Sequence, residues 1–447
     1  MNRIKLERYF YPVGQGLFCR ERFYSEDNTG GQKDVFNLVY DCGSSNCGPN
    51  PHKYTKTMIE DLFKGITIDL LFISHFHADH INLLETINPK ETAKKVRKVI
   101  IPYLSKEDLI LVLSDILSDR NYVPSEYTNK IVGIAAGIKE DSKEEKADDV
   151  NEKTQYYVLA KQDEFIDNRN NVVRNGENLL QKLFHNKPKI SFWKFLPFNY
   201  NFPLAKGVFD NFLQKETDIK DVNDISEIIK KSMDFKGLYK KIAKELHKKY
   251  PQICEDDLNE QSTVLFSFTN LETKILQQCL QYKCSLPILK HVCDNCKNKD
   301  TDKCRKQYCQ YKSLCPLMNK NVCLDCINQW KNICISCKSF SLPLGCIYFG
   351  DYLMSSPRLC SDIRQNIDDN IAYIGTLQIP HHGSINGLFY NTRDYENKIC
   401  VIPYGRGNKY SHPCQYVIQT ILDNSGYPIC ATNGGGYMQS FVFEVKG

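Results

Sequence analysis

Residues 74–84 read SHFHADHINLL, directly after the apolar run IDLLFI at 68–73. His75, His77, Asp79 and His80 fall within six positions of a chain that has ten histidines in 447 residues. The apolar run has the length of a buried strand, so the motif belongs to the loop that leaves it. Imidazole nitrogens and carboxylate oxygens are the usual ligands of zinc and similar ions. His75 and His77 lie two apart, and an extended or turning backbone can aim both at one ion. Asp79 and His80 follow at once, and a tight turn can point them at a second ion about 3.5–4 Å from the first. A solvated histidine-rich loop is the plainer alternative, but it gives no reason for this spacing to begin at the end of a buried strand.

Such a site needs ligands from elsewhere in the chain. Asp351 follows the apolar stretch CIYFG at 346–350, and His381 and His382 follow TLQIP at 376–380. Each is a candidate at the end of an expected strand. A carboxylate there can bridge two cations, although Gly-Asp alone is equally a turn. Around these points the chain alternates. IKLERYFY (4–11), GLFCRERFY (16–24) and VFNLVYDCG (35–43) read as strands, HKYTKTMIEDLF (52–63) as an amphipathic helix and KVRKVIIPYL (95–104) as a buried strand. SKEDLILVLSDIL (105–117) and the stretch 227–250 have helical spacing, and 139–155 is charge-dense. KISFWKFLPFNYNF (189–202), QSTVLFSFTN (261–270), KICVIPYG (398–405) and FVFEV (441–445) return to strand, with a helix over 415–426. Strands and helices alternate at both ends, which predicts a layered α/β domain with more strands than a doubly wound fold.

HFHADH, FGD and PHHGS, in that order, resemble the metallo-β-lactamase fold superfamily, and in particular the β-lactamase-like hydrolase domain of the ComEC DNA-uptake proteins. VGQG (13–16), VYDCGS (39–44), NEQSTVLFSF (259–268) and GRGNKYSHP (405–413) are similar to further segments of that domain. The resemblance implies a four-layer αββα sandwich with a dinuclear centre of two divalent ions, Zn or Mn. Carried over, His75 and His77 would hold the first metal, and Asp79, His80 and His381 the second. Asp351 would bridge, and His382 and His412 would face the substrate. Ser384, Arg406, Asn408, Lys409 and Tyr410 would be substrate contacts. Many members carry another first-site histidine between the HxHxDH motif and the Gly-Asp. Here that interval offers His185, His247 and His291, none at the end of an expected strand.

Two adjacent divalent ions lower the pKa of a bridging water and neutralise charge developing on a phosphoryl or acyl oxygen. Asp79 can orient the nucleophilic water, and His382 or His412 can give a proton to the leaving oxygen. The expected reaction is hydrolysis, and the resemblance points to a phosphodiester of DNA or RNA. Arg406 and Lys409 suit an anionic backbone, though a solvated turn would carry the same charges. Two other readings stay open: hydrolysis of a small phosphoester, and a zinc-stabilised interaction protein with a decayed hydrolase centre. By family association, a hydrolase of this type with a zinc insert suits bacterial defence against foreign DNA.

Between 284 and 337 the composition changes. Ten of the twenty cysteines lie there, and lysine and arginine outnumber aspartate and glutamate. Cys293/Cys296, Cys323/Cys326 and Cys334/Cys337 are C-x-x-C pairs, with Cys304, Cys309 and Cys315 among them. Such pairs chelate tetrahedral zinc, and two four-cysteine structural zinc sites are expected. One would use Cys323, Cys326, Cys334 and Cys337, and the other Cys293, Cys296 and two of the three remaining. Crossed pairing and an iron–sulfur cluster are open alternatives. The expected organisation is a first core part over 1–269 with a helical, charged insertion over about 104–258, a cysteine-rich insert over 270–343 and a second core part over 344–447. The insert would grip nucleic acid, or serve as a structural brace or protein-docking knob.

The net charge of +5 permits an anionic partner without requiring one. No apolar run reaches membrane-spanning length, and MNRIKLERYFYPVGQG lacks the apolar core of a signal peptide, so no membrane association is expected. Cysteine-rich chains without an export signal belong in a reducing compartment, here the cytoplasm. No P-loop motif is present.

Overall fold

The computed structural model describes residues 3–26, 31–45, 53–104, 112, 125–136, 153–160, 171–184, 189–199, 262–284, 334–335, 342–352, 361–388 and 391–445, less 93, 407 and 409. The helix expected over 227–250, that over 105–117 apart from Val112, most of the charged stretch, His185, His247, His291 and Lys409 lie outside them. So do all the cysteines expected to ligate zinc in the insert except Cys334, of which only the backbone is described.

The chain is mixed α/β, with a large sheet and few helices among the described residues. Its strands are β1 (Ile4–Phe10), β2 (Phe18–Glu26), β3 (Gln32–Cys42), β4 (Ile68–Phe72), β5 (Val96–Pro102), β6 (Gln155–Leu159), β7 (Val172–Val173) and β8 (Lys194–Phe198). They continue as β9 (Val264–Phe268), β10 (Thr273–Cys284), β11 (Cys334–Ile335), β12 (Gly345–Tyr348), β13 (Ile374–Gln378), β14 (Ile399–Tyr404), β15 (Tyr427–Thr432) and β16 (Gly435–Val445). The helices are α1 (Lys53–Leu62), α2 (Ala78–Ile81), α3 (Leu84–Ile87), α4 (Glu126–Ala135), α5 (Leu179–Leu183), α6 (Ser361–Asn370) and α7 (Gln415–Asp423).

Hydrogen bonding links the strands in the order β7-β6-β5-β4-β3-β2-β1-β16-β15-β14-β13-β12-β9-β8, with β10 on β16 and β11 on β10. A strand has two hydrogen-bonding edges. β1 and β10 occupy those of β16 along most of its length, so β15 meets it at one pair only, Thr432 with Gly435. The path therefore divides there into two stretches. Strands β3 to β7 run parallel in one and β12 to β15 in the other. Strand β10 falls within the segment read as the cysteine-rich insert, where no strand was expected. The signal that would have found it, TKILQQCLQYKC, mixes apolar and amide side chains without strict alternation.

Three apolar clusters lie about these strands. In β4, Leu70 and Phe72 enter one and Leu71 enters another. In β12, Cys346 and Tyr348 enter the cluster of Leu70, while Ile347 enters the third. Successive residues of a strand point to opposite faces, and both faces are covered here, so these segments read as continuous apolar runs rather than alternating ones. The middle cluster draws on both stretches: Leu6, Phe10, Leu38 and Tyr40 from one, Phe195, Leu265, Tyr348 and Val401 from the other.

Arg8 is fully buried in the inward row of β1. Its guanidinium donates to Glu21 at 2.8 Å, Tyr348 at 3.2 Å, Gln439 at 2.8 Å and the Leu344 carbonyl at 3.0 Å. Glu21 also accepts from Ser267 at 2.6 Å, and Ser267 accepts from Trp193 Nε1 at 2.9 Å. A buried charge is tolerable only when paired and hydrogen-bonded, and this network ties β1, β2, β9, β12 and β16 together.

Candidate metal centre

The functional segments leave the carboxyl ends of parallel strands: Asp41–Gly43 at the end of β3, His75–His80 after β4, Gly350-Asp351 after β12, His381-His382 after β13 and 405–412 after β14. Ligands of layered α/β sheets gather at these ends. Two groups of ligand atoms result. His75, His77 and Asp351 form one and Asp79, His80 and His382 the other, each with its atoms within 4.8 Å of one another. Asp351 joins them. Its Oδ2 lies 3.8 Å from His75 Nε2, and its Oδ1 lies 3.4 Å from His80 Nε2 and 3.9 Å from His382 Nε2.

The outward nitrogens of three histidines are held by the protein. His80 Nδ1 is 2.8 Å from Asp41 Oδ2, and His382 Nδ1 is 3.0 Å from the Pro403 carbonyl. Both partners can only accept, so each Nδ1 carries the hydrogen. His75 Nδ1 is 2.8 Å from Ser74 Oγ and 3.0 Å from Ser262 Oγ. Ser74 gives its one hydroxyl hydrogen to Asp41 at 2.6 Å, so His75 Nδ1 donates to it. All three rings therefore turn Nε2 inward, the tautomer and orientation that metal-ligating histidines take from such outer partners. Among the described residues His80 Nε2 also finds no hydrogen-bond partner in its buried place, and neither does His381 Nδ1. A buried, unsatisfied nitrogen is costly without a ligand to accept, and divalent cations that favour N and O donors fit this set.

Electrostatics couple the carboxylates to the histidines. Burial alone would raise the Asp351 carboxyl, but His80, His382 and His381 outweigh it and hold it well below the ordinary value. Burial also opposes ionisation of Asp79, yet His80 and the contact with His382 Nε2 at 3.3 Å bring it down to about 2. Burial, with His80 and His77 beside it, pushes His75 well below its usual pKa. For His80 burial is outweighed by Asp351, Asp41 and Asp79, which raise it. The carboxylates thus stay charged in a dry site, balanced by the His80 and His382 imidazoles, which they raise in turn.

Local backbone geometry makes the turn possible. Gly16 and Gly43 pass against the peptide that carries the ligands: Cβ atoms there would lie 2.5 Å from the Asp79 carbonyl oxygen and 2.1 Å from the Asp79 carbonyl carbon and oxygen. Leu17 N–H donates to the Asp79 carbonyl at 3.2 Å, Gly43 N–H to Leu17 at 3.0 Å and Leu83 N–H to Cys42 at 3.0 Å. Gln378 braces the other side, accepting from Phe349 N–H at 2.7 Å and Gly350 N–H at 2.8 Å, and Asp351 N–H donates to Ser262 at 2.8 Å.

The placement differs from expectation at two points. The second group was expected to be completed by His381; His382 takes that place. Both histidines have positive φ in the turn after β13. His382 is the one whose Nδ1 reaches the β14 carbonyl, which swings its Nε2 toward Asp79. His381 packs its ring 5.6 Å from His412. Asn408, expected to contact substrate, has its amide engaged with its own loop. It donates to the carbonyls of Gly405 at 2.8 Å and His412 at 2.7 Å, and accepts from Tyr410 N–H and His412 N–H at 3.0 Å each. Its four hydrogen bonds fill its capacity, so it shapes the loop. Ser384 is buried and accepts from Asn386 N–H at 3.4 Å. Arg406 is exposed and packs its guanidinium against Gly434. Asp41, Ser262 and Gln378 have supporting roles that no sequence signal assigned. Asp41 and Ser262 lie in VYDCGS and NEQSTVLFSF, segments that the resemblance singled out without giving either residue a role.

Comparison of the chain with protein-family models, curated proteins and solved structures found no match. Among the described residues no helix is long and apolar enough to cross a membrane.

Proposed function

We propose that this chain is a metal-dependent hydrolase of the metallo-β-lactamase type, with a phosphodiester of DNA or RNA as substrate. The observation that carries the reading is the inward aim of His75, His80 and His382 around Asp351, each with its Nδ1 anchored by the protein. The four-layer αββα arrangement belongs to the same proposal, supported by three apolar clusters on two stretches of strands. So do two structural zinc ions in the cysteine-rich segment and a reducing, cytoplasmic setting, in which thiolate ligands stay free of disulfides.

His75, His77 and Asp351 would hold one divalent cation and Asp79, His80 and His382 the other, with Asp351 shared. Bound cations supply Lewis acidity, acidifying water and neutralising charge on the phosphoryl group. The chain supplies position. Asp79, ionised at neutral pH, has a fixed carboxylate with which to orient an attacking water. His412 is pushed down to about 4 by burial and then by His382 and His381. It is therefore neutral at pH 7 and can hydrogen-bond a substrate oxygen, but holds no surplus proton to release. The test is purified protein supplied with Mn or Zn and offered single- and double-stranded DNA and RNA. Cleavage that is lost in Asp79→Ala supports the proposal. Turnover of small diesters alone would reassign the substrate, and inactivity on every ester with both metal sites filled would refute it.

A further inference from the structure

The two ligand groups of the metal centre are built unequally. Asp79, His80 and His382 gather about Asp351 Oδ1, which lies 3.4 Å from His80 Nε2 and 3.9 Å from His382 Nε2. That group joins two carboxylates to two imidazoles. His80 is fully buried, and its Nδ1 is held at 2.8 Å by the Asp41 carboxylate, an outer partner that makes the ring a stronger donor to a cation. Among the described residues its Nε2 meets no hydrogen-bond partner, so no protein hydrogen bond has to break there before a cation binds. The other group is His75, His77 and Asp351. Its one carboxylate is the shared one, which faces His75 Nε2 through Oδ2 at 3.8 Å. His75 Nδ1 rests on the neutral hydroxyls of Ser74 and Ser262 at 2.8 and 3.0 Å. His75 Nε2 lies 3.0 Å from His77 Nδ1. Since the hydrogen of His75 is on Nδ1, His77 is the donor in that bond. A cation taken by both nitrogens replaces the bond, and the hydrogen moves from Nδ1 to Nε2 of His77.

We propose that the centre loads in order: one divalent cation binds first and tightly among Asp79, His80, His382 and Asp351, and a second binds later and more weakly at His75 and His77. The inference rests on the two-cation reading of the site and deepens it. A divalent cation is attracted more strongly where two carboxylates meet it than where one does. The second cation then arrives about 3.5–4 Å from a like charge, and the only carboxylate it meets already serves the first. Repulsion therefore widens the difference between the groups. The His75–His77 position is the exchangeable one, and metal supply sets through it whether the chain holds one cation or two.

The test counts cations rather than turnover. The full chain, dialysed against a chelator, is titrated with Mn at neutral pH, and free and bound Mn are followed by electron paramagnetic resonance. Mn suits carboxylate ligands, whereas thiolates select zinc and other soft ions, so cysteine-bound ions stay out of the count. Two bound Mn are expected, with Kd values about 10- to 100-fold apart, the range that a change in ligand support produces. The first equivalent should give a mononuclear signal, and the second should convert it to an exchange-coupled one. His77→Ala should keep the first equivalent and lose the second, whereas His382→Ala should weaken the first about 10- to 100-fold. The wild-type titration decides by itself if either variant fails to fold. Two equal affinities, a coupled signal from the first addition onward, or loss of the first equivalent in His77→Ala would overturn the proposal. Two equal sites would leave the hydrolase reading to the Asp79→Ala cleavage experiment, whereas uptake of no Mn by the wild type would overturn both.

Discussion

Gly43→Ala is the sharpest test of how the metal groups are built. The methyl group would lie 2.1 Å from the Asp79 carbonyl carbon and oxygen and 2.2 Å from the His80 nitrogen. Ordinary contact begins near 3.4 Å, so the two backbones must separate by about 1.3 Å. Neither can yield freely, because Gly43 N–H is bonded to Leu17, Leu17 N–H to the Asp79 carbonyl and Leu83 N–H to Cys42. Overpacking of this kind costs roughly 1–3 kcal/mol of stability. The functional cost is larger, since ligand distances tolerate only about 0.2 Å and a displacement of about 1 Å costs on the order of 100-fold in activity. The expected result is a folded protein by far-UV circular dichroism that has lost cation binding by the Asp79, His80 and His382 group, read by elemental analysis and calorimetric titration with Zn or Mn. Gly65→Ala is the control. Its Cβ meets nothing within 4 Å, though its φ of +74° imposes strain, so it should lose about 1 kcal/mol of stability and no metal. If Gly43→Ala takes up the wild-type complement of metal with affinity unchanged within about twofold, the backbone approach does not position the ligands and the reasoning fails.

Asp41→Asn places an amide where three donors, Ser74 N–H, Ser74 O–H and His80 Nδ1–H, now meet a carboxylate. Metal affinity should drop about 10- to 100-fold with the fold intact, and an unchanged titration would show that His80 needs no such anchor. Arg8→Met strands the buried Glu21 and should cost about 3–5 kcal/mol in urea denaturation, whereas Arg8→Met with Glu21→Gln should cost less than the two single changes together. Effects that add to within about 0.5 kcal/mol would show that the pair is not coupled.

The sequence by itself determined the local chemistry and the kind of fold. Apolar runs of strand length marked β4, β9, β12, β13 and β14, because strands covered on both faces must be apolar throughout. The clustering of His75, His77, Asp79 and His80 at a strand end marked the candidate ligands, because spacing along the chain fixes which neighbours can share an ion. It could not say which residue of each run faces which cluster, since a two-sided strand has lost the alternation that encodes facing. It left Arg8 as one polar residue in an alternating row, with no hint of partners that lie more than 300 positions away in the chain, such as Tyr348 and Gln439. Only the tertiary structure decided that His382 rather than His381 turns to Asp79, and that Asp41 and Ser262 hold the rings. Those outcomes depend on hydrogen bonds between strand ends that the fold brings together. A side chain's direction is set by the partner it meets in space, and the order of residues along the chain does not record that partner.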